Sequence, residues 1–233
     1  MIMNLSTLNP TPIYTTTLPS TGKSVQYRPF FVKEERALLS AYESDDVVTM
    51  LATLNAVVNS CMIVPMQMAI FDVEYMFLQI RAKSVEEFSH LVMECGGCSV
   101  ETQIAVDLRN AIVEGLNVDK TIVLSPVLSI KMKYPSLTDV IEIYNGTDNS
   151  KVLGHAIVAS IDTIFTKDES LKIVDEPIET VNDFIDTLTG KQFAKLETFI
   201  HSIPTVSLNA DWTCPKCKHK NIHTLRGVNN CFE

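Results

Sequence analysis

The 233-residue chain lacks any apolar stretch approaching the ~18 positions of a membrane-spanning helix, because polar residues interrupt every candidate. Met1 is followed by no basic n-region and no apolar h-region, so no secretory signal is expected. Basic residues are in short supply: 19 Lys and Arg face 28 Asp and Glu, a net charge of −9. Phosphate recognition relies on a basic surface, so this balance argues against a nucleic-acid binder, a local patch aside. Catalytic order is missing too. No Ser/His/Asp or Cys/His arrangement with catalytic precedent can be read, and Asp183 and Asp186 stand at helical spacing as a solvated face. Gly22-Lys23-Ser24 ends like a phosphate-binding loop but has Thr17 where that pattern needs glycine. The expectation is an acidic, soluble, intracellular, non-catalytic protein. Apolar types at 46% suffice for a real core, and a mean hydropathy of +0.15 leaves apolar surface for a partner.

What the sequence does hold is six cysteines, at 61, 95, 98, 214, 217 and 231. Four form two C-x-x-C pairs, Cys95-Gly-Gly-Cys98 and Cys214-Pro-Lys-Cys217. In a chain without an export signal this spacing reads as metal ligation before disulfides. Structural zinc takes four tetrahedral ligands, and each C-x-x-C bend offers two thiolates on one turn. Pro215 suits the rigid second turn, and Gly96 and Gly97 are expected to give the first its φ freedom. The pairs are separated by 115 residues, far beyond the ~15–20 of a compact ribbon. Loop entropy grows only logarithmically, so a split ribbon is physically allowed. Two alternatives stay open: unligated structural cysteines, or a local site of Cys214 and Cys217 with His219 or His223. His219 otherwise reads as a hydrogen-bonding neighbour of the knuckle. Cys61 falls on an apolar stripe and reads as core, and Cys231 as a spare thiol near the end of the chain.

Residues 1–24, rich in Thr, Ser and Pro, predict an extended arm, and 25–233 a single α+β domain. A strand is expected over 22–28, then helices from Val32, from Val47 behind N-cap chemistry supplied by the Ser44-Asp45-Asp46 break, and over Val73–Ala82 behind an Asp72 cap. Phe88–Glu94 does not separate helix from strand. Strands are predicted over 100–108, 121–124 and 127–132, and on either side of the second cysteine pair at 206–212 and 220–225. Helices are predicted over 137–144, 155–165, 178–188 and 191–202, with Asn145-Gly146 as a turn. Helical segments, about 32–84 and 137–203, thus pack around a split zinc-ribbon-like β element formed by the two knuckles, about 88–135 with 205–233.

Five stretches carry a resemblance. They are Tyr27-Arg28-Pro29-Phe30-Phe31-Val32-Lys33-Glu34-Glu35; Phe71-Asp72-Val73-Glu74-Tyr75 running into Leu78–Ser84; the Cys95/Cys98 knuckle; Lys131–Leu137; and Trp212-Thr213-Cys214-Pro215-Lys216-Cys217. In this order, and over most of the chain, the sequence resembles the baseplate hub assembly protein family of T-even-like contractile-tailed bacteriophages. It departs in lacking a proline after the first cysteine of the first knuckle, and in having Ser99 and Lys218 where that family often has glycine. The resemblance implies a viral protein made in the host bacterial cytoplasm and needed to build the baseplate's central hub, with other hub subunits or hub assembly proteins as partners, either as an assembly chaperone or as a hub component kept in the virion tail baseplate. It also implies Cys95, Cys98, Cys214 and Cys217 as ligands of one structural Zn2+. Tyr27–Phe31 and the helix Val73–Ala82 are candidate contact segments, the base rate for apolar stripes favouring the core for the helix. The reading from a different class is a zinc-ribbon nucleic-acid binder, using the basic cluster Lys216, Lys218, His219, Lys220, His223 and Arg226.

Overall fold

Seven α-helices and five small antiparallel sheets account for the regular structure of a computed structural model that describes residues 10–116, 118–146 and 152–228. The fold is mixed α+β. The chain divides into two compact units. The first comprises the chain up to Met66, Phe71–Glu114 and the stretch from Thr205; the second comprises Gln67–Ile70 and Gly115–Pro204. Among the described residues no helix is long and apolar enough to cross a membrane.

In the first unit, β1 (Tyr14–Thr17) pairs antiparallel with β2 (Ser24–Tyr27), so part of the stretch expected as an extended arm forms a hairpin. Gly22, at φ +68°, turns it, and Leu18 is buried beneath. Helices α1 (Val32–Glu43) and α2 (Val47–Cys61) follow and pack on each other. The Glu34 carboxylate accepts the Phe31 N–H at 2.7 Å and so holds the start of α1. It also pairs with Arg28 at 3.0 Å. Arg28 in turn donates to the carbonyls of Pro29 and Ser60 and lies 4.1 Å from the Phe31 ring centroid. These contacts tie the Tyr27–Glu35 segment together: Tyr27 is buried, and Phe31 stays exposed. Asp46 caps α2 as expected, accepting the Thr49 N–H at 3.0 Å, and Cys61 is fully buried.

Helix α3 (Ile70–Ser84) starts before Asp72, so Asp72 is not its cap. Its buried carboxylate instead accepts the Ser20 N–H at 3.0 Å and the Ser20 hydroxyl. Phe71, Val73, Met76, Phe77, Leu78 and Ile80 are all buried, so apolar side chains are enclosed all round and α3 is a core helix. The ambiguous segment becomes β3 (Phe88–Glu94), in register with β4 (Glu101–Asp107) from Phe88↔Asp107 to Glu94↔Glu101. β5 (Ile112–Glu114) then awaits a partner from the far end of the chain.

The second unit holds a sheet of order β6-β7-β8-β9, formed by Thr121–Ser125, Leu128–Met132, Ile161–Thr166 and Ser170–Lys172. The sequence reading placed β6 and β7 with the cysteine knuckles; they pair here instead. With this sheet pack α5 (Val152–Ser160), α6 (Ile178–Asp186) and α7 (Gly190–His201), while α4 (Leu137–Gly146) packs on α5. One apolar core, with Ile130, Ile157, Ile161 and Leu196 fully buried, joins sheet and helices. The predicted helix over 155–165 ends at Ser160, because Ile161, Thr163 and Ile164 are β-branched residues that pair with β7. Asn145 and Gly146 continue α4 rather than forming a turn. Ser136 and Asp139 satisfy each other's backbone N–H groups, at 2.8 and 3.1 Å, and fix the start of α4. Thr189 and Gln192 form the same device for α7.

Candidate metal centre

The four paired cysteines belong to the first unit and arrive on two short hairpins. β3 leads into Cys95 and β4 leaves after Cys98; β11 (Trp212–Thr213) leads into Cys214 and β12 (Lys220–Asn221) leaves after Cys217. The two turns share one hydrogen-bond scheme. The Cys95 N–H donates to Val100 O at 3.0 Å and the Ser99 N–H to Cys95 O at 2.8 Å. In the second knuckle Cys214 N–H donates to His219 O at 2.9 Å and Lys218 N–H to Cys214 O at 3.0 Å. Left-handed backbone falls at the residue after each second cysteine, Ser99 at φ 52° and Lys218 at φ 61°. The glycines expected to supply φ freedom are not in that region. Gly97 is required for space: a Cβ there would stand 2.9 Å from His219 Cβ and Cγ.

A strand pairing brings together knuckles that lie 115 residues apart. β10 (Thr205–Asn209) pairs with β5 on one side, Ser207 opposite Ile112, and with β13 (Thr224–Arg226) on the other. Because β5 follows the first knuckle closely and β10 precedes the second, this sheet converts a distant closure into a local one.

The four sulfurs lie within 4.8 Å of one another, with Cys95 Sγ to Cys217 Sγ and Cys98 Sγ to Cys214 Sγ both at 3.7 Å. Four thiolates around an ion with metal–sulfur bonds of about 2.3 Å stand about 3.8 Å apart, so the donor set could hold a metal ion. Cys95 and Cys214 are buried, Cys98 is half-buried, and Cys217 is exposed. Burial opposes ionisation of Cys95, yet the N–H groups of Gly97, Asn221 and Cys98 outweigh it and pull the thiol down to about 6. The N–H groups of Cys217 and Lys216 likewise lower Cys214. At Cys217 the His219 N–H favours the thiolate, but the neighbouring sulfurs and desolvation prevail and push it up to about 12. Full ionisation of all four therefore calls for a positive charge among them.

Neither histidine joins this group. The His219 ring packs over Gly97, and His223 stacks on Trp212 with centroids 5.1 Å apart. Among the described residues, the group that could hold a metal ion is the four cysteines, without either histidine. Cys231 lies outside the described residues.

Sequence reasoning missed Asn221. This buried side chain on β12 donates from Nδ2 to Cys95 Sγ at 3.6 Å and to His219 O at 3.3 Å, while Oδ1 accepts the Gly96 N–H at 3.0 Å. It fastens one knuckle to the other. The available signal was its place on the outgoing strand of a knuckle that has to face another.

The described residues thus form a mixed α+β chain in which two C-x-x-C turns distant in sequence meet at four cysteines that could hold a metal ion. Its sequence matches the family described as T4 bacteriophage base plate protein over residues 11–233, and the chain belongs to that family. A curated relative, the "Baseplate hub assembly protein gp26" of Enterobacteria phage T4, is 23% identical over 212 residues, covering 91% of this chain and 94% of that protein. No solved structure matches.

Proposed function

We propose that this chain is a non-enzymatic phage tail protein acting by protein–protein contacts in assembly of the baseplate's central hub. In this reading one structural Zn2+ is held by Cys95, Cys98, Cys214 and Cys217 in a split zinc ribbon. The observation that carries the metal assignment is the convergence of four sulfurs at tetrahedral separations from two turns of the same design. Such an ion would supply a cross-link between the chain's end and its middle, with no position left for a reacting water. The hub role is supported by the family and by the relative named for hub assembly. Its setting is the host bacterial cytoplasm during assembly, and its partners are other hub subunits.

The nucleic-acid reading draws on Lys216, Lys218, Lys220 and Arg226, which are exposed around the second knuckle. The net charge of −9 weighs against it. Metal content by mass spectrometry on wild type and Cys95→Ser tests the site. One zinc per chain, lost or labile in the variant, is the expected result; tight retention in Cys95→Ser would refute the split site. Co-expression with individual hub subunits tests the role, and failure to form a complex with any of them would overturn it.

A further inference from the structure

We propose that a groove in the second unit, bordered by α4, α5 and α6, docks a cationic amphipathic helix of a partner protein. The groove has a volume of about 430 Å³, within the usual range of ~300–1,000 Å³ for binding clefts. Ile143 and Val158 lie buried in its lining, and Val174 and Ile178 line it while 85% and 54% exposed. Val174 is the most exposed large apolar side chain among the described residues. It is held out by a short 3₁₀ turn, Ile173–Asp175, closed by a bond from the Glu176 N–H to Ile173 O at 3.1 Å. Apolar side chains displayed on a fixed turn beside a cleft suit a partner.

Charge identifies the occupant's chemistry. Asp139 and Glu142 line the groove, and Asp175, Glu176 and Glu179 flank Val174 and Ile178 in the chain; Lys133 is the one Lys or Arg in the lining. Acidic groups around an apolar floor favour a partner that carries Lys or Arg beside its apolar residues. A partner strand would instead add to the outer edge of β9, with anchors alternating along that edge. The apolar lining spreads over α4, α5, the 3₁₀ turn and α6, a breadth matched by a helix face with anchors at i, i+3, i+4 and i+7. The proposal deepens the protein-contact reading above, but its test needs neither zinc nor a hub subunit, so failure of the groove leaves that reading standing.

The probe is a dye-labelled peptide of roughly 15 residues, Leu at the helical anchor positions and Lys elsewhere, titrated with the full chain and read by fluorescence anisotropy. Val174→Asn with Ile178→Asn, both at exposed positions, is expected to weaken binding about tenfold. Glu142→Lys should weaken it more than Glu101→Lys, which changes net charge equally but lies on β4 in the first unit. Equal losses from the two charge reversals would mean bulk attraction only and overturn the proposal. So would equal binding of a Leu/Lys peptide with scrambled order, or indifference to the double Asn variant. Sedimentation of the protein alone separates the remaining occupant: self-association abolished by the Asn variant would assign the groove to a second copy instead.

Discussion

The two units hold themselves together by different means. The second has one continuous apolar core, in which the side chains of Ile130, Ile157, Ile161 and Leu196 are withdrawn from water between a four-stranded sheet and its helices. The first has its buried helix α3, but its sheets are of two or three strands, and β11 and β12 are only two residues each. Isolated ribbons of that size are marginal in water. Around the knuckles, directional contacts replace apolar area: the Asn221 bridge, the β5–β10–β13 pairing and, on the proposed reading, an ion held by the four sulfurs. A small β element can be precise without a core of its own when a few strong, directional contacts fix its turns.

The largest effect that would break this contrast is removal of the proposed metal. Chelation, or Cys214→Ser, is expected to destabilise the knuckle hairpins by several kcal/mol and to spare the second unit's core. Hydrogen exchange resolved by segment should show β3–β4 and β11–β12 opening while β7 and β8 stay protected. Protection unchanged everywhere would show that the cross-link is dispensable. The reverse lesion is Leu196→Ala, at a site with no exposure. It should cost about 2–5 kcal/mol in the second unit while zinc content stays that of wild type.

A smaller effect is pH-dependent. Burial pushes the Glu74 carboxyl from 4.5 up to about 7. The folded chain thus keeps a proton that the unfolded chain has released. That contribution is complete below about pH 4.5 and is lost as pH rises through about 7, an expected fall on the order of 3 kcal/mol. Glu74→Gln should flatten the stability profile over this window; an unchanged slope would assign it to other groups. Asn221→Ala comes next. It deletes a donor to Cys95 and an acceptor for Gly96, and should weaken zinc about tenfold or more in chelator competition. Affinity equal to wild type would reduce the bridge to packing. The smallest effect has the opposite sign. Ser99→Gly and Lys218→Gly relieve side chains held at positive φ and should each stabilise the first unit by about 1 kcal/mol, read from denaturant midpoints at fixed zinc.

Much of the local structure was legible because local rules write it. The cap at the Ser44-Asp45-Asp46 break, the apolar stripe ending in the buried Cys61, the strand after the first knuckle and those on either side of the second follow from spacing and side-chain chemistry. The misreadings of strand pairing share a cause. Ile161–Thr166 looks helical by pattern until β7 offers it a partner, and β6 and β7 look like knuckle strands until they pair with each other and β7 with β8. A short apolar run does not say which neighbour it will pair with.

The same division holds at the candidate site. Sequence alone determined the donor types, their paired spacing and the shortage of positive charge, since each is a property of covalent order and composition. Only the tertiary structure decided that the four sulfurs meet, that left-handed backbone falls on Ser99 and Lys218, that Gly97 is needed for His219 to fit, and that Asn221 reaches Cys95. The meeting of the sulfurs, the fit of His219 on Gly97 and the reach of Asn221 go with β10 lying against β5, a contact between residues some ninety positions apart. No window along the chain contains both partners of that pairing, so the fold had to bring them together before the site existed.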